Sequence, residues 1–199
     1  GAADKVFINT AGIGVIPHQL NWAAAQCRPG DKIIVSGTLG DHGAAILNLR
    51  ENLGLDADLR SDCAVLEPML APLRAIDGIR AVRDATRGGV TAILHEFADA
   101  SQCGMNIEEQ KLPLKTAVRG VCELLGLEAL NFANEGKVVI VTAPEAEAAV
   151  LAALRNSPLG QDACTIGQVT EAKQVKVQGI FGATRLLDLP YNEPLPRIC

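Results

Sequence analysis

The sequence predicts an α/β fold, in the broad sense that includes α+β, built as a layered mixed sheet flanked by helices. Short runs of Val and Ile, such as Ile33–Val35, alternate along the chain with stretches whose apolar residues recur at helical spacing. The connections between these stretches are short and rich in Gly, Pro and Asp. Of the 199 residues, 48% are hydrophobic and 21% are charged, which suits one large or two small globular domains. Such alternation predicts helices that cover a sheet.

The first half of the chain predicts strand, glycine-containing loop and helix in repeated order. A unit of this kind can hold an anion on the backbone N–H groups at the start of its helix. In order, the predicted elements are a strand at 5–10, an amphipathic stretch at 22–25, a turn at 28–31, a strand at 33–35, a helix at 44–53, a helix after Asp62 whose apolar face carries Val65, Leu66, Met69, Leu70 and Leu73, and a strand at 79–82.

The second half continues the alternation of helices and strands. Pro144 suits the first turn of a helix, because proline needs no hydrogen-bond partner for its nitrogen there, and Glu145 and Glu147 favour the same turn. In order, the predicted elements are a helix from Val90 to about 100 with Val90, Ile93, Leu94 and Phe97 inward, a weak strand at 105–107, a helix at 116–125, a buried strand at 137–141, a helix from 144 to about 155, and strands at 165–169, 175–177 and 184–187.

Charge and hydropathy argue against several classes of partner. The net charge is −5 and no run of Lys or Arg occurs, which disfavours binding to nucleic acid or to an anionic membrane. No apolar run has the length of a membrane span, and Gly1–Lys5 lacks the features of a signal peptide. We therefore expect a cytoplasmic protein with no nucleic-acid or membrane partner.

The six cysteines are scattered, without a CxxC pair or a Cys/His cluster at zinc spacing. Neither a disulfide framework nor a metal site is predicted. Five of the cysteines lie beside apolar residues and are expected to be small core or near-surface thiols. These five are Cys27, Cys63, Cys103, Cys122 and Cys164.

The sixth cysteine, Cys199, is the last residue of a proline-rich tail. Proline fixes φ and lacks a backbone donor, so Pro190, Pro194 and Pro196 favour an extended tail. Such a tail can carry a thiol to a distant site. The alternative is a frayed chain end that happens to finish in cysteine.

The segment 84–89 is the first candidate site. It combines a carboxylate (Asp84), a hydroxyl (Thr86), a guanidinium (Arg87) and the backbone amides of Gly88 and Gly89 at a helix N-terminus. The helix N-terminus supplies partial positive charge, and Arg87 could neutralise a phosphate or fix a carboxylate. The alternative is an N-cap whose glycines allow tight packing.

Two further loops hold candidate residues. The loop Ser36–Gly43 lacks the GK[ST] and GxGxxG nucleotide fingerprints, although Asp41 and His42 could line a site. His42 could act as an acid or base, whereas a lone loop histidine is more often a cap or a surface residue. His95, within a helical pattern, is expected to be half-buried packing.

The loop 131–137 precedes a buried strand and carries Asn134 and Glu135 beside Gly136. Ligands gather at strand ends in open α/β sheets. A carboxylate at such a position can serve as a base if burial raises its pKa. The alternative is a solvated loop glutamate.

Four motifs together resemble the HypE family of hydrogenase maturation factors, which are carbamoyl dehydratases of nickel-iron hydrogenase assembly. The most specific is the terminal Pro-Arg-Ile-Cys, because the related AIR synthetases and selenophosphate synthetases lack this tail. The resemblance implies an AIR synthetase C-terminal-domain-like fold. The motifs are SGTLGDHG at 36–43, DATRGGV at 84–90, NFANEGK at 131–137 and PRIC at 196–199.

The resemblance implies a function for the terminal thiol. The carbamoyltransferase HypF would load a carbamoyl group onto Cys199, with Pro196, Arg197 and Ile198 positioning the tail. ATP would then activate the carbamoyl oxygen, and Glu135 would act as the base in a dehydration to thiocyanate. The cyano group would pass to iron on a HypC–HypD scaffold. Asp41, His42, Asn134 and the 84–89 loop would line the site.

The resemblance also implies that the chain is the C-terminal part of a longer protein. Residues 1–27 would be the remnant of a preceding N-terminal ATP-binding domain plus linker, 28–189 the AIR synthetase-like domain, and 190–199 a mobile tail. The preceding domain would supply most contacts to ATP and magnesium and a homodimer interface. We therefore expect no cofactor bound to this chain alone and no activity from it. Rival interpretations are a non-catalytic docking domain that presents its tail to maturation partners, or another ATP-dependent synthetase of the superfamily.

Overall fold

The computed structural model describes residues 11–17, 19–55 and 59–189, which form a seven-stranded mixed sheet in the order β2-β4-β1-β5-β3-β6-β7. Neighbouring strands are antiparallel, except that β3 and β6 run parallel. The strands are β1 (Lys32–Val35), β2 (Ile79–Asp84), β3 (Gly104–Glu108), β4 (Val138–Thr142), β5 (Cys164–Thr170), β6 (Val175–Gln178) and β7 (Thr184–Leu186).

Helices cover both faces of this sheet, and the predicted fold of a mixed sheet flanked by helices is thereby confirmed. The α-helices are α1 (Asp41–Arg50), α2 (Glu67–Leu70), α3 (Gly89–Ser101), α4 (Thr116–Leu125) and α5 (Glu147–Arg155). Short 3₁₀ turns lie at Ala24–Gln26, Ala71–Ala75, Glu109–Lys111, Ala129–Asn131, Pro144–Ala146 and Pro158–Gly160.

The core is divided by the sheet because successive side chains of a strand point to opposite faces. In β1, Ile33 and Val35 join a large cluster that includes α3, whereas Ile34 joins a second cluster with α2 and α5. A third, small cluster joins α1 to α4 around Phe132. Residues 22–27 also pack on the sheet, since Trp22 lies against the second cluster and Cys27 lies within the first.

The helix predicted after Asp62 is wrong in extent. Residues 59–66 have no helix or strand, and helical structure begins at Glu67. Val65, which was expected on the apolar face, is 77% exposed. Pro68 occupies the first turn of α2, where proline is tolerated because its missing N–H would have no partner within the helix there. The apolar spacing therefore begins at Val65 and Leu66, which lie before the first residue of the helix.

Several predicted features have no structural counterpart to compare. The predicted strand at 5–10 and the whole tail, including Pro196, Arg197, Ile198 and Cys199, lie outside the described residues. Among the described cysteines, Cys27 and Cys103 are buried and Cys63 is exposed. Where the structure is described, none of its helices is long and apolar enough to cross a membrane.

Candidate functional site

Three loops meet at one edge of the sheet. Because β4 is antiparallel to both β1 and β2, its first residues lie beside the last residues of those strands. The register pairs Val35 with Val139 and Asp84 with Val138. The loop after β1, the loop after β2 and the loop before β4 therefore converge, and these are the loops 36–43, 84–89 and 131–137 of the sequence motifs.

Asn134 joins the three loops through its side-chain amide. Its Oδ1 accepts a hydrogen bond from the Gly40 N–H at 2.7 Å, and its Nδ2 donates to the carbonyls of Ala85 at 3.1 Å and Phe132 at 2.9 Å. Its backbone N–H also donates to Ala85 at 2.8 Å. Asn134 is 1% exposed. Its position therefore suits the alignment of the site rather than direct contact with a ligand.

Glu135 follows Asn134 and is only partly buried. Its backbone N–H donates to Oδ1 of Asp62 at 3.0 Å. Gly136 has no room for a side chain, because a Cβ there would lie 1.8 Å from the carbonyl oxygen of Asp62. The backbone that carries the Glu135 side chain is thus fixed by its neighbours, Asn134 on one side and Gly136 on the other. It lies at the edge of the sheet where the three loops converge.

Asp62 and Lys137 form a buried ion pair beside Glu135 that sequence reasoning did not include in the site. Nζ of Lys137 lies 3.3 Å from Oδ2 of Asp62, and the two side chains are 9% and 4% exposed. Among the residues that the structure describes, none donates a hydrogen bond to Asp62 Oδ2. The signal that could have found Lys137 is a charged residue at the start of a run of five buried residues, 138–142.

The 84–89 loop lies at the rim of this site. Oδ2 of Asp84 accepts a hydrogen bond from Thr86 Oγ1 at 2.7 Å, and its Oδ1 lies 3.1 Å from Nη1 of Arg83. The Asp84 side chain is 45% exposed, and Arg87 is exposed as well. The loop is tied to Asn134 through the Ala85 carbonyl.

The two glycines of this loop have left-handed backbone conformations, with φ of 70° at Gly88 and 60° at Gly89. Gly88 is the N-cap of α3. A Cβ on Gly89 would lie 2.4 Å from the Leu130 carbonyl oxygen and 2.6 Å from that of Phe132. Close packing against the loop 131–137 therefore accounts for glycine at position 89, as the packing alternative proposed.

Asp41 and His42 lie at the start of α1 and are both buried. Oδ2 of Asp41 accepts a hydrogen bond from Thr38 at 2.5 Å and pairs with Nζ of Lys115 at 3.0 Å. Nδ1 of His42 is 2.7 Å from Ser61 Oγ, and its Nε2 is buried without a hydrogen-bond partner among the described residues. The alternative of a surface histidine is therefore wrong for His42.

His95 has the half-buried position expected from its helical spacing. Its Nε2 lies 2.6 Å from the carbonyl oxygen of Leu187. In the ranges 11–17, 19–55 and 59–189, the structure contains no group of three or more His, Cys, Asp and Glu residues that could hold a metal ion.

Burial makes three of the internal thiols poor nucleophiles, because the thiolate is the reactive form. Desolvation, with a smaller effect of Asp31, raises the pKa of Cys27 to about 12. Desolvation and the charge of Glu128 raise the pKa of Cys122 to about 11. Desolvation also raises the pKa of Cys164.

We expect iodoacetamide at pH 8 to alkylate Cys63 well before Cys27 and Cys122. Cys63 is exposed, and at this pH a thiol with a pKa of about 11 or 12 is almost entirely protonated. Peptide mass spectrometry at successive times measures the order. The same reaction in denaturant is the control and should remove the difference. Equal rates for Cys63 and Cys27 in the native protein would contradict the prediction.

The chain is similar over its whole length to known proteins. The chain is 62% identical over 199 residues to carbamoyl dehydratase HypE of Escherichia coli, a match that covers all of this chain and 59% of that protein. The chain thus spans about three fifths of the length of the curated relatives it matches. The resemblance drawn from the four motifs is confirmed by this match.

Solved structures agree with the fold. The crystal structure of E. coli HypE has a TM-score of 0.91 at 61% identity, covering 94% of this chain and 58% of that one. HypE in a HypE–HypF complex has a TM-score of 0.82 at 38% identity, covering 84% and 55%. HypE in complex with ATP has a TM-score of 0.81 at 37% identity, covering 87% and 54%.

A family model also matches the region that builds the site. This model, described as "AIR synthase related protein, C-terminal domain", matches residues 28–180. The matched span includes strands β1 to β6 and the three loops that Asn134 joins. The chain therefore belongs to the family of AIR synthase related proteins, as their C-terminal domain.

Proposed function

We propose that this chain is the C-terminal part of an ATP-dependent carbamoyl dehydratase that serves the maturation of nickel-iron hydrogenase. The observation that carries the proposal is the 62% identity, over the whole chain, to a protein named carbamoyl dehydratase HypE. The geometry is consistent with this activity, because Glu135 lies where three loops converge at one edge of the sheet.

The reaction converts a carbamoyl group on the Cys199 sulfur, S–C(=O)–NH₂, into a thiocyanate, S–C≡N. Phosphoryl transfer from ATP to the carbonyl oxygen releases ADP and turns that oxygen into part of a leaving group. The nitrogen loses both of its protons, and the C–O bond breaks as phosphate departs. In this proposal Glu135 accepts a proton from nitrogen, which is the role of a general base. Cys199 is the carrier.

The proposed partners and cofactors rest on the same relatives. HypF would load the carbamoyl group, and one HypE has been solved in complex with HypF. Another has been solved in complex with ATP. The cyano group would pass to iron held by HypC–HypD. We propose that ATP, magnesium and the homodimer interface depend mainly on the part of these proteins that the chain does not span.

Intact-mass measurement tests the function directly. The full-length protein is incubated with carbamoyltransferase, carbamoyl phosphate and ATP, and Cys199 is followed with time. We expect the mass of one carbamoyl group to appear and then the mass of one water to be lost. The matched control is Cys199→Ala, which should gain neither mass, because it lacks the thiol that carries the carbamoyl group in this proposal.

Two outcomes would favour the rival functions. A carbamoyl adduct that never loses water supports a non-catalytic docking domain that presents its tail to partners. An ATP-dependent activity that is unaffected by Cys199→Ala supports a synthetase with a small-molecule substrate.

The 199-residue chain alone is expected to bind ATP more weakly than micromolar and to leave a loaded thiocarbamate unchanged. The reason is that the chain spans 59% of the length of its E. coli relative, while ATP-dependent chemistry requires a complete phosphate site. Isothermal titration calorimetry of the chain with ATP and magnesium measures this, with the full-length protein as the control. Micromolar binding by the chain alone would contradict the expectation.

A further inference from the structure

Three consecutive residues of the loop before β4 contact one aspartate. The Glu135 N–H donates to Asp62 Oδ1 at 3.0 Å, and Lys137 Nζ lies 3.3 Å from Asp62 Oδ2. Between them, the Cα of Gly136 faces the Asp62 carbonyl oxygen so closely that a Cβ would lie 1.8 Å from it. Asp62 belongs to the stretch 59–66, which has no helix or strand of its own. The contacts thus join an irregular segment to the site across 73 residues of sequence.

Burial makes these contacts strong. The side chains of Asp62 and Lys137 are 4% and 9% exposed, so water competes little for either charge. A hydrogen bond from a backbone N–H to a carboxylate is stronger than one between neutral groups. Removing one partner of a buried ion pair leaves the other charge uncompensated, which is strongly destabilising.

Lys137 is itself fixed to the other two loops. Its backbone carbonyl accepts a hydrogen bond from the Ala85 N–H at 2.9 Å, which links it to the 84–89 loop. Its aliphatic stem fills the space beside Gly37, where a Cβ would lie 3.0 Å from Lys137 Cε. The ion pair therefore joins Asp62 to Lys137, which itself contacts Ala85 and Gly37. Glu135 lies in the same loop, between Lys137 and Asn134.

We propose that Asp62 is a positioning residue for Glu135, and that Lys137 neutralises the charge that Asp62 needs for this role. Oδ1 of Asp62 fixes the Glu135 backbone, and with it the direction in which the carboxylate leaves the loop. This inference rests on the proposed function, in which Glu135 is the base. A small displacement of a catalytic base strongly lowers the rate of the proton transfer that it catalyses.

The test compares two double variants of the full-length protein that differ in one hydrogen-bond acceptor. Asp62→Asn with Lys137→Met removes both charges but keeps an oxygen for the Glu135 N–H. Asp62→Ala with Lys137→Met removes both charges and that oxygen. Neither leaves a buried charge unpaired, so both should fold. An exposed site, Asp162→Ala, is the surface control.

We expect the Asn variant to dehydrate carbamoylated Cys199 within about threefold of the wild-type rate, and the Ala variant to be about 10- to 100-fold slower than the Asn variant. Loading of Cys199 should be equal in both. When Glu135→Gln is added to both double variants, alanine at position 62 should dehydrate no more slowly than asparagine, because the effect of Asp62 acts through Glu135. Hydrogen exchange at the Glu135 amide should be faster in the Ala variant.

Equal dehydration rates and equal amide exchange in the two double variants would overturn the positioning role while leaving the proposed function intact. A loss that persists in the Glu135→Gln background, or that affects loading equally, would also overturn it. A wild-type protein that never dehydrates a loaded Cys199 would refute the proposed function and the positioning role together.

Discussion

Replacing Glu135 with glutamine is expected to slow the dehydration of carbamoylated Cys199 by about 100- to 10,000-fold, which is the usual contribution of general acid–base catalysis. Glutamine has the shape of glutamate but cannot accept the proton from nitrogen. The backbone N–H of residue 135 would still reach Asp62, so the loop should keep its conformation. Loading of Cys199 should proceed at the wild-type rate, because it does not use this base.

Intact mass separates the two steps in one experiment. The variant should accumulate the carbamoyl adduct, whereas the wild type should convert it. Glu145→Gln is the matched control, since Glu145 is exposed in the 3₁₀ turn Pro144–Ala146, and it should behave as wild type. Dehydration at the wild-type rate in Glu135→Gln would show that another group takes the proton.

Replacing Asn134 with alanine is expected to lower the free energy of unfolding by about 3–5 kcal/mol. The change leaves the buried Gly40 N–H without its acceptor and the Phe132 carbonyl without the Asn134 side-chain donor, whereas the Ala85 carbonyl keeps the backbone N–H of residue 134. Each buried polar group that loses its partner costs about 1–3 kcal/mol. Urea denaturation of the 199-residue chain measures the loss.

The matched control for Asn134 is Asn156, an exposed residue that caps α5 at its C-terminus. Asn156→Ala is expected to change the free energy of unfolding by less than about 0.5 kcal/mol. A similarly small change for Asn134→Ala would contradict the view that its amide holds the three loops together.

Local sequence patterns were sufficient for much of the fold. The apolar residues that follow Lys137 in the segment 137–141 predicted β4, and the spacing of Val90, Ile93, Leu94 and Phe97 predicted α3, whose buried face carries these residues. Both succeed because a strand of a covered sheet is buried on both faces and an amphipathic helix on one. The helix after Asp62 failed because spacing does not report a start that proline determines.

Long-range contacts explain why the site was only partly predicted. Asp62 and Lys137 contribute to it although neither stood out in the sequence, and His42 is buried against Ser61 although it follows a glycine-rich loop. In each case the partner lies far away in sequence. No periodicity or spacing encodes such a pair.

The sequence by itself determined the mixed sheet with its helices, the family, and the motifs that carry Asp84, Asn134 and Glu135. These follow from local periodicity and from short runs of residues whose chemistry is recognisable on its own. The tertiary structure decided how the motifs meet, because the antiparallel register of β1, β2 and β4 brings their loops to one edge. It also decided that Asn134 joins those loops from a buried position and that Asp62 holds Glu135, since burial and hydrogen bonding between distant residues exist only in the folded chain.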